Sequence, residues 1–134
     1  MTIEDSNRQL VQSFYDAGNR GDVDTCFAMI SDDIVWTNIG TTALSGTYRG
    51  KEEVMEKLLG PLFGRLESGI SSTVHRLIAE GDTVVALTSG VARTRDGLDY
   101  NNSYCQVIRI ADERWVEVTE YFDTQLAGSV FGFR

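Results

Sequence analysis

The chain has 134 residues, of which 42% are hydrophobic, and it carries a formal net charge of −8 at pH 7. This length predicts a single domain spanning residues 1–134. The negative charge and the scattered basic residues argue against nucleic acid as a partner, because phosphate binding needs a basic surface. The apolar runs are only a few residues long and the first residues are acidic, so we expect a cytoplasmic protein without membrane attachment.

The cysteines and the histidine limit the chemistry that the chain can perform. Cys26 and Cys105 lie far apart in apolar or alternating segments, and we expect both to be buried free thiols. His75 is the only histidine, with no second His or paired Cys at a metal-ligand spacing. We therefore expect neither a metal nor another cofactor.

The first part of the chain predicts two helices and a strand. Thr2 and Asp5 form a capping-box pattern at the start of a helix that ends between Gly18 and Gly21. Asp22 caps a second, short helix. Residues 31–33 then predict a turn, residues 34–38 a strand, and a loop rich in Gly, Thr and Ser continues to residue 50.

The remainder of the chain predicts one more helix and four strands. The helix covers residues 51–66, and Pro61 should kink or interrupt it because proline lacks a backbone donor. The hydrophobic period then changes to two, which indicates strands over residues 71–80, 83–94, 98–111 and 114–123, joined by tight turns. Helices followed by a strand meander predict an α+β fold, with N-terminal helices packed on a strongly curved antiparallel sheet that encloses a cavity.

The last strand carries the sharpest functional candidate. Asp123 follows Tyr121 and Phe122, and a carboxylate against aromatic rings loses solvation, so its pKa tends to rise. Counting by alternation, Glu117 shares a face with Asp123 and Glu120 does not. The alternative is that Asp123 caps the turn into residues 124–126.

Five segments together resemble the nuclear transport factor 2-like superfamily, and within it the SnoaL-like group related to polyketide cyclases and ketosteroid isomerases. They are Phe14–Asp22, Ile34–Trp36, the loop Gly46–Gly50, Ala79–Asp82 and Glu120–Asp123. The resemblance covers nearly the whole chain and implies a cone-shaped, cystatin-like fold. It also implies a small-molecule cavity, although one fold hosts many functions.

This sequence departs from the ketosteroid isomerase pattern at both catalytic positions of those enzymes. Phe14 stands where those enzymes have an oxyanion tyrosine, and Asn38 stands where they have the aspartate base. Neither side chain can perform the corresponding step. Tyr15 would point about a third of a turn away and is not an easy substitute.

Limonene-epoxide hydrolases offer a second comparison. Their first-strand aromatic and asparagine correspond to Trp36 and Asn38, and their late acid corresponds to Asp123 in Tyr121-Phe122-Asp123. In that family the acid and the asparagine position and deprotonate a water. The Arg-x-Asp pair of the family has no counterpart here, since Arg93 is expected on that strand without an acid partner at the matching offset.

The resemblance therefore implies a cofactor-independent acid–base enzyme acting on a small apolar molecule, as an isomerase, a cyclase or an epoxide hydrolase-like protein. The catalytic candidates are Asp123, Asn38 and His75. Candidate substrate contacts are Trp36, Phe14, Tyr15, Tyr48, Phe63, Arg93, Tyr104 and Tyr121. The alternatives are a non-catalytic small-molecule-binding protein and a protein-interaction module. A homodimer through the convex side of the sheet is expected, since that side would otherwise expose apolar residues.

Overall fold

The computed structural model describes all 134 residues as helices flanking one six-stranded sheet. The helices are α1 (Ile3–Asn19), α2 (Val23–Ala28), α3 (Lys51–Glu53), α4 (Gly60–Arg65) and α5 (Thr124–Phe131), and a π-helical segment (Val54–Leu59) joins α3 to α4. The strands are β1 (Ile30–Asn38), β2 (Gly46–Arg49), β3 (Ser71–Glu80), β4 (Thr83–Val91), β5 (Asn102–Ala111) and β6 (Arg114–Phe122). This arrangement confirms the predicted α+β class. No helix is long and apolar enough to cross a membrane.

The sheet places β1, from the first part of the chain, beside β6, from its last part. Its strand order is β2-β1-β6-β5-β4-β3. Every neighbouring pair is antiparallel except β1 and β6, which run parallel. Asn38 on β1 and Gln106 on β5 are therefore both register partners of Glu120 on β6.

The capping box predicted for α1 is present. The Thr2 hydroxyl accepts from the Asp5 amide, and the Asp5 carboxylate accepts from the Thr2 amide, so two of the otherwise unpaired donors at the helix start are satisfied. The helix buries Val11, Tyr15 and Ala17. We call the sheet face that α1 covers the inner face, and the opposite side the outer face.

The core lies between α1 and the inner face. Ile34, Val84, Ile108 and Val118 are almost completely inaccessible there. Trp115 is also fully buried, with its ring centroid 4.1 Å from that of Phe14 on α1. Aliphatic residues at alternate strand positions thus fix which face of each strand points inward.

Several predicted boundaries are wrong. Residues 31–33 belong to β1 rather than to a turn, and the register of β1 against β6 shifts there, so an irregular strand accommodates polar residues. The loop before residue 50 contains β2, a short edge strand. Both β4 and β5 are shorter than predicted, and residues 92–101 form an irregular connection held by isolated bridges.

Pro61 does not break the third helical region. The preceding residues form a π-helical segment, and the Gly60 amide donates to the Met55 carbonyl, five residues back. Pro61 then occupies the first turn of α4, where the missing amide hydrogen leaves no intrahelical bond unmade. The π-helical turn therefore accommodates Pro61, and the chain stays helical on both sides of it.

The outer face has no partner within the chain. Ile78 and Tyr121 are 42% and 47% exposed there, while Leu87, Val107 and the free thiol Cys105 are half-buried. The thiol of Cys26, near α1, is likewise half-buried rather than fully buried.

We expect a second copy of the chain to cover this outer face, because an exposed apolar sheet surface favours isologous association. Sedimentation velocity at micromolar concentration should give a dimer, and Leu87→Arg should shift it towards monomer. A monomeric wild-type protein would contradict this prediction.

Candidate active site

A cluster of polar and aromatic side chains interrupts the apolar inner face at one end of the sheet. We call it the inner-face cluster, and its members project from α1, β1, β5 and β6. They are Tyr15, Trp36, Asn38, Tyr104, Gln106 and Glu120. Tyr15, Trp36, Asn38 and Gln106 are buried, while Tyr104 and Glu120 keep intermediate exposure. The cluster is thus embedded in the core, with Glu120 and Tyr104 still reached by solvent.

Glu120 is the only charged side chain in the cluster. Gln106 Nε2 donates to Glu120 Oε1 at 3.2 Å. The hydroxyl of Tyr15 in turn donates to Gln106 Oε1. A hydrogen-bonded line therefore runs from α1 across β5 to β6, and it orients the Gln106 amide so that its N–H group faces the carboxylate.

Trp36 and Asn38 lie on the other side of Glu120. The Trp36 indole donates from Nε1 to Asn38 Oδ1 at 3.0 Å, and Asn38 Nδ2 donates to the Leu44 carbonyl at 3.3 Å. The same indole N–H lies close enough to the Glu120 carboxylate to favour its charged form. Asn38 is therefore held rigidly beside the acid.

Burial raises the pKa of the Glu120 carboxyl from 4.5 to about 7. Loss of solvation is the dominant cause, and it outweighs the hydrogen bonds from Trp36 and Gln106, which lower the pKa. The residue keeps intermediate exposure, so the dense protein surroundings remove most of its solvation without closing it from solvent. Near neutral pH the carboxyl is divided between its acid and base forms.

The tyrosines around Glu120 remain neutral. Burial raises the pKa of both Tyr15 and Tyr104 well above the usual value, and the negative charge of Glu120 raises it further. Burial also raises the pKa of Tyr100, which precedes β5 and accepts a hydrogen bond from Asn102 Nδ2. Their hydroxyl groups therefore stay available as hydrogen-bond donors.

Asp123 does not lie in this cluster, so the expectation that it points into a cavity is wrong. It is exposed and forms the N-cap of α5, where its carboxylate accepts from the Leu126 amide at 3.1 Å. The Asn102 side chain also forms two hydrogen bonds with the Asp123 backbone: it donates to the carbonyl and accepts from the amide. β6 ends one residue earlier, at Phe122, so the alternation counted through Asp123 does not apply. The capping alternative describes its position.

We expect Asp123→Ala to lower the free energy of unfolding by about 1 kcal/mol, through loss of the cap. Asp123→Asn should be nearly neutral because asparagine caps equally well. Denaturant unfolding measures both changes. Neither variant should alter ligand binding at the inner-face cluster, and a loss of binding in Asp123→Asn would restore Asp123 as a site residue.

Three further candidates lie away from the inner face. His75 is exposed in a bulge of β3, with Nε2 2.8 Å from the hydroxyl of Ser89. Arg93 follows β4 rather than lying on it and pairs with Asp99 at 3.1 Å. Tyr121 alternates with Glu120 and Phe122 and so projects from the outer face. The structure brings none of these three to the cluster.

The remaining aromatic candidates divide between the core and the surface. Phe14 packs against Trp115, and Tyr48 packs against the core while its hydroxyl donates to the Leu44 carbonyl at 2.9 Å. Phe63 on α4 is 42% exposed. In contrast, Tyr15 reaches the cluster, because its helical position, and not that of Phe14, directs a side chain at the middle of the sheet.

Glu120 and Gln106 were the residues that sequence reasoning missed. The signal for Glu120 was its flanking pattern, since Val118 and Phe122 at two residues on either side are apolar and share its face. Gln106 carried a similar signal, lying between Tyr104 and Ile108 on β5. Both are polar residues at positions where the strand pattern predicts a buried side chain.

Two shallow surface pockets lie away from the cluster. One of about 240 Å³ lies on the outer face and includes Val107 and Glu117 in its lining. The other is a wide groove of about 960 Å³ beside α3, between Phe27 and Glu53. The deep cavity expected beside Trp36 and Asn38 is neither of these two.

The helices, the bent mixed sheet and the acid on its inner face together define a protein of the nuclear transport factor 2-like superfamily. Residues 11–118 match the SnoaL-like domain family, and the chain belongs to that family. No curated protein sequence matches the chain.

Solved structures agree with this assignment. Bal32a, from a soil-derived mobile gene cassette, is 21% identical over 99% of this chain and 100% of its own, with a TM-score of 0.84. A Xanthomonas campestris protein with a cystatin-like fold is 26% identical, covering 96% of this chain and 98% of its own (TM-score 0.82). An LEH-like epoxide hydrolase from M. tuberculosis is 25% identical, covering 97% of this chain and 92% of its own (TM-score 0.77).

Proposed function

We propose that the protein is a cofactor-independent acid–base enzyme that acts on a small, largely apolar molecule, with Glu120 as its proton-transfer group. The observation that carries the proposal is the partly buried Glu120 carboxyl with a pKa of about 7. A group that titrates near the working pH is present in both forms, which suits it to accept a proton and to return it.

The neighbours of Glu120 supply fixed donors rather than further bases. Gln106 donates a hydrogen bond to the carboxylate, and the Trp36 indole N–H, which donates to Asn38 Oδ1, lies close to it. Tyr104 is on the same face of β5 and keeps its proton. A neutral hydroxyl beside the acid is suited to stabilise negative charge that develops on a substrate oxygen when Glu120 removes a proton.

Among the reactions that the family resemblance implies, isomerisation or cyclisation by proton abstraction is the best supported. In such a reaction one carboxylate takes a proton from carbon and the same carboxyl returns it at a second position, so no second titrating group is required. The likeness to the M. tuberculosis epoxide hydrolase supports water activation as a related possibility, since Asn38 and Glu120 are register partners. Opening an epoxide also needs a general acid, and the Arg-x-Asp pair is missing.

A non-catalytic binding protein is the second candidate. It is supported by the absence of the ketosteroid isomerase pair, since Phe14 packs in the core and Asn38 is committed to Trp36 and the Leu44 carbonyl. Under this alternative Glu120 would orient a ligand without exchanging a proton.

Hydrogen–deuterium exchange separates the two candidates. A panel of small cyclic ketones is first tested for binding by thermal shift. Exchange at the carbon next to the carbonyl is then followed by NMR in D2O for each ketone that binds. We expect exchange that disappears in Glu120→Gln and persists in Glu117→Gln, whose exposed side chain lies on the outer face of the same strand. Ketones that bind without exchanging would support the binding protein instead.

A further inference from the structure

The charge of Glu120 has no positive partner. None of the causes that set its pKa is a basic side chain. The arginines, lysines and the histidine are exposed or half-buried. Every ion pair in the structure joins other residues. When ionised, a partly buried carboxylate without a counter-charge attracts cations and repels anions in its surroundings.

Several aromatic rings share this part of the inner face with the carboxylate. The Trp36 indole is beside it, and Tyr104 and Phe122 lie on the same face with their ring centroids 6.4 Å apart. Tyr15 approaches from α1 through Gln106. The faces of such rings attract ammonium groups that lie within about 6 Å of the ring centroid.

One side of the cluster is in contact with solvent. Glu120, Tyr104 and Phe122 keep intermediate exposure, whereas Trp36, Asn38 and Tyr15 are buried. A ligand that approaches from this solvent-contacting side would therefore meet the carboxylate and the rings of Tyr104 and Phe122 first.

We infer that the inner-face cluster binds a small apolar amine in its ammonium form, held between the Glu120 carboxylate and the rings of Tyr104, Phe122 and Trp36. This inference rests on the proposed function, because it assigns the substrate class to the same site.

The pH dependence of binding follows from Glu120 alone. The titratable groups that face it are Tyr15 on α1, Tyr104 on β5 and Tyr100 before β5, and burial keeps all three neutral. Trp36 and Asn38 on β1 and Gln106 on β5 do not titrate, and Asp123 faces solvent. With a pKa of about 7, roughly one carboxyl in a hundred is ionised at pH 5 and about nine in ten at pH 8.

Choline is a suitable probe because its positive charge does not depend on pH, and 3,3-dimethylbutan-1-ol is its uncharged isostere. Calorimetric titration of the wild-type protein should show choline affinity rising more than about ten-fold from pH 5 to pH 8. The isostere should bind more weakly at pH 8 and show no such rise. Glu120→Gln should remove the rise, and Glu117→Gln should preserve it.

Equal binding of choline and its isostere at pH 8, or full choline affinity in Glu120→Gln, would overturn the inference. Ketone exchange that depends on Glu120 without choline binding would leave the proposed function standing and remove only the substrate class. Choline binding that depends on Glu120, without any ketone exchange, would support the ammonium ligand and contradict the proposed acid–base function.

Discussion

Replacing Glu120 with glutamine should raise the free energy of unfolding by up to about 3 kcal/mol near pH 8 and leave it almost unchanged below pH 4.5. The increase of the pKa from 4.5 to about 7 on folding corresponds to this penalty for ionising the buried carboxyl. Glutamine has the shape of the protonated acid and no charge, so it avoids the penalty.

The sign follows from the order of the two pKa values. Below pH 4.5 the carboxyl is protonated in both the folded and the unfolded chain, and ionisation costs nothing. Between pH 4.5 and about 7 the unfolded chain releases its proton while the folded chain keeps it, so wild-type stability falls as pH rises. Above that range both forms are ionised and the difference from Glu120→Gln is constant.

Urea unfolding of both proteins across this pH range measures the effect. Glu117→Gln is the matched control, since Glu117 is an exposed glutamate on the same strand and pairs with Arg109 at the surface. Its substitution should change stability by less than about 1 kcal/mol. If the stability difference between Glu120→Gln and the wild type does not depend on pH, then ionisation of Glu120 does not destabilise the folded state.

The second large effect concerns the two tryptophans of the core. Trp115→Ala should cost about 3–5 kcal/mol, because the ring is fully buried against Phe14. Trp115→Phe should cost far less. The Trp115 indole nitrogen has no hydrogen-bond partner, so removing it also removes the penalty of an unpaired buried donor, about 1–3 kcal/mol.

Trp36→Phe is the matched comparison for Trp115→Phe. Trp36 is also buried, at 4% exposure, but its indole donates to Asn38 Oδ1. The same substitution there leaves a buried acceptor unpaired and takes one donor from Glu120. Thermal unfolding should therefore rank Trp36→Phe below Trp115→Phe in stability, and the opposite order would show that indole hydrogen bonding does not govern the difference.

The fold was largely predictable because its signals are local. The capping box of Thr2 and Asp5, the Asp22 cap and the two-residue period of β3 each specify an element within a short stretch. The misses were elements whose stability comes from packing. β2 exists because it pairs with β1 at the sheet edge, and α5 contains Gly128 yet buries Ala127 against Leu66 and Tyr100.

The site was harder to predict because the strands carry apolar residues on both faces. On β6, Val118 is buried on the inner face while Thr119 and Tyr121 form part of the outer face, and alternation alone does not say which side α1 covers. To choose between Asp123 and Glu120, one must know which face of β6 is covered by α1 and that the strand ends at Phe122. Trp36 and Asn38 were expected beside Asp123, and they lie beside Glu120 instead.

The parallel pairing of β1 with β6 also has a kinetic consequence. The hydrogen bond from Tyr15 to Gln106 joins residues 91 positions apart, and the pairing of Asn38 with Glu120 likewise joins distant parts of the chain. Such distant contacts raise the contact order, and domains dominated by them fold in milliseconds to seconds rather than microseconds. The β3–β4 and β4–β5 hairpins can form early from neighbouring segments. The acid, its amide partners and the aromatic rings should therefore assemble last, in the step that completes the native state.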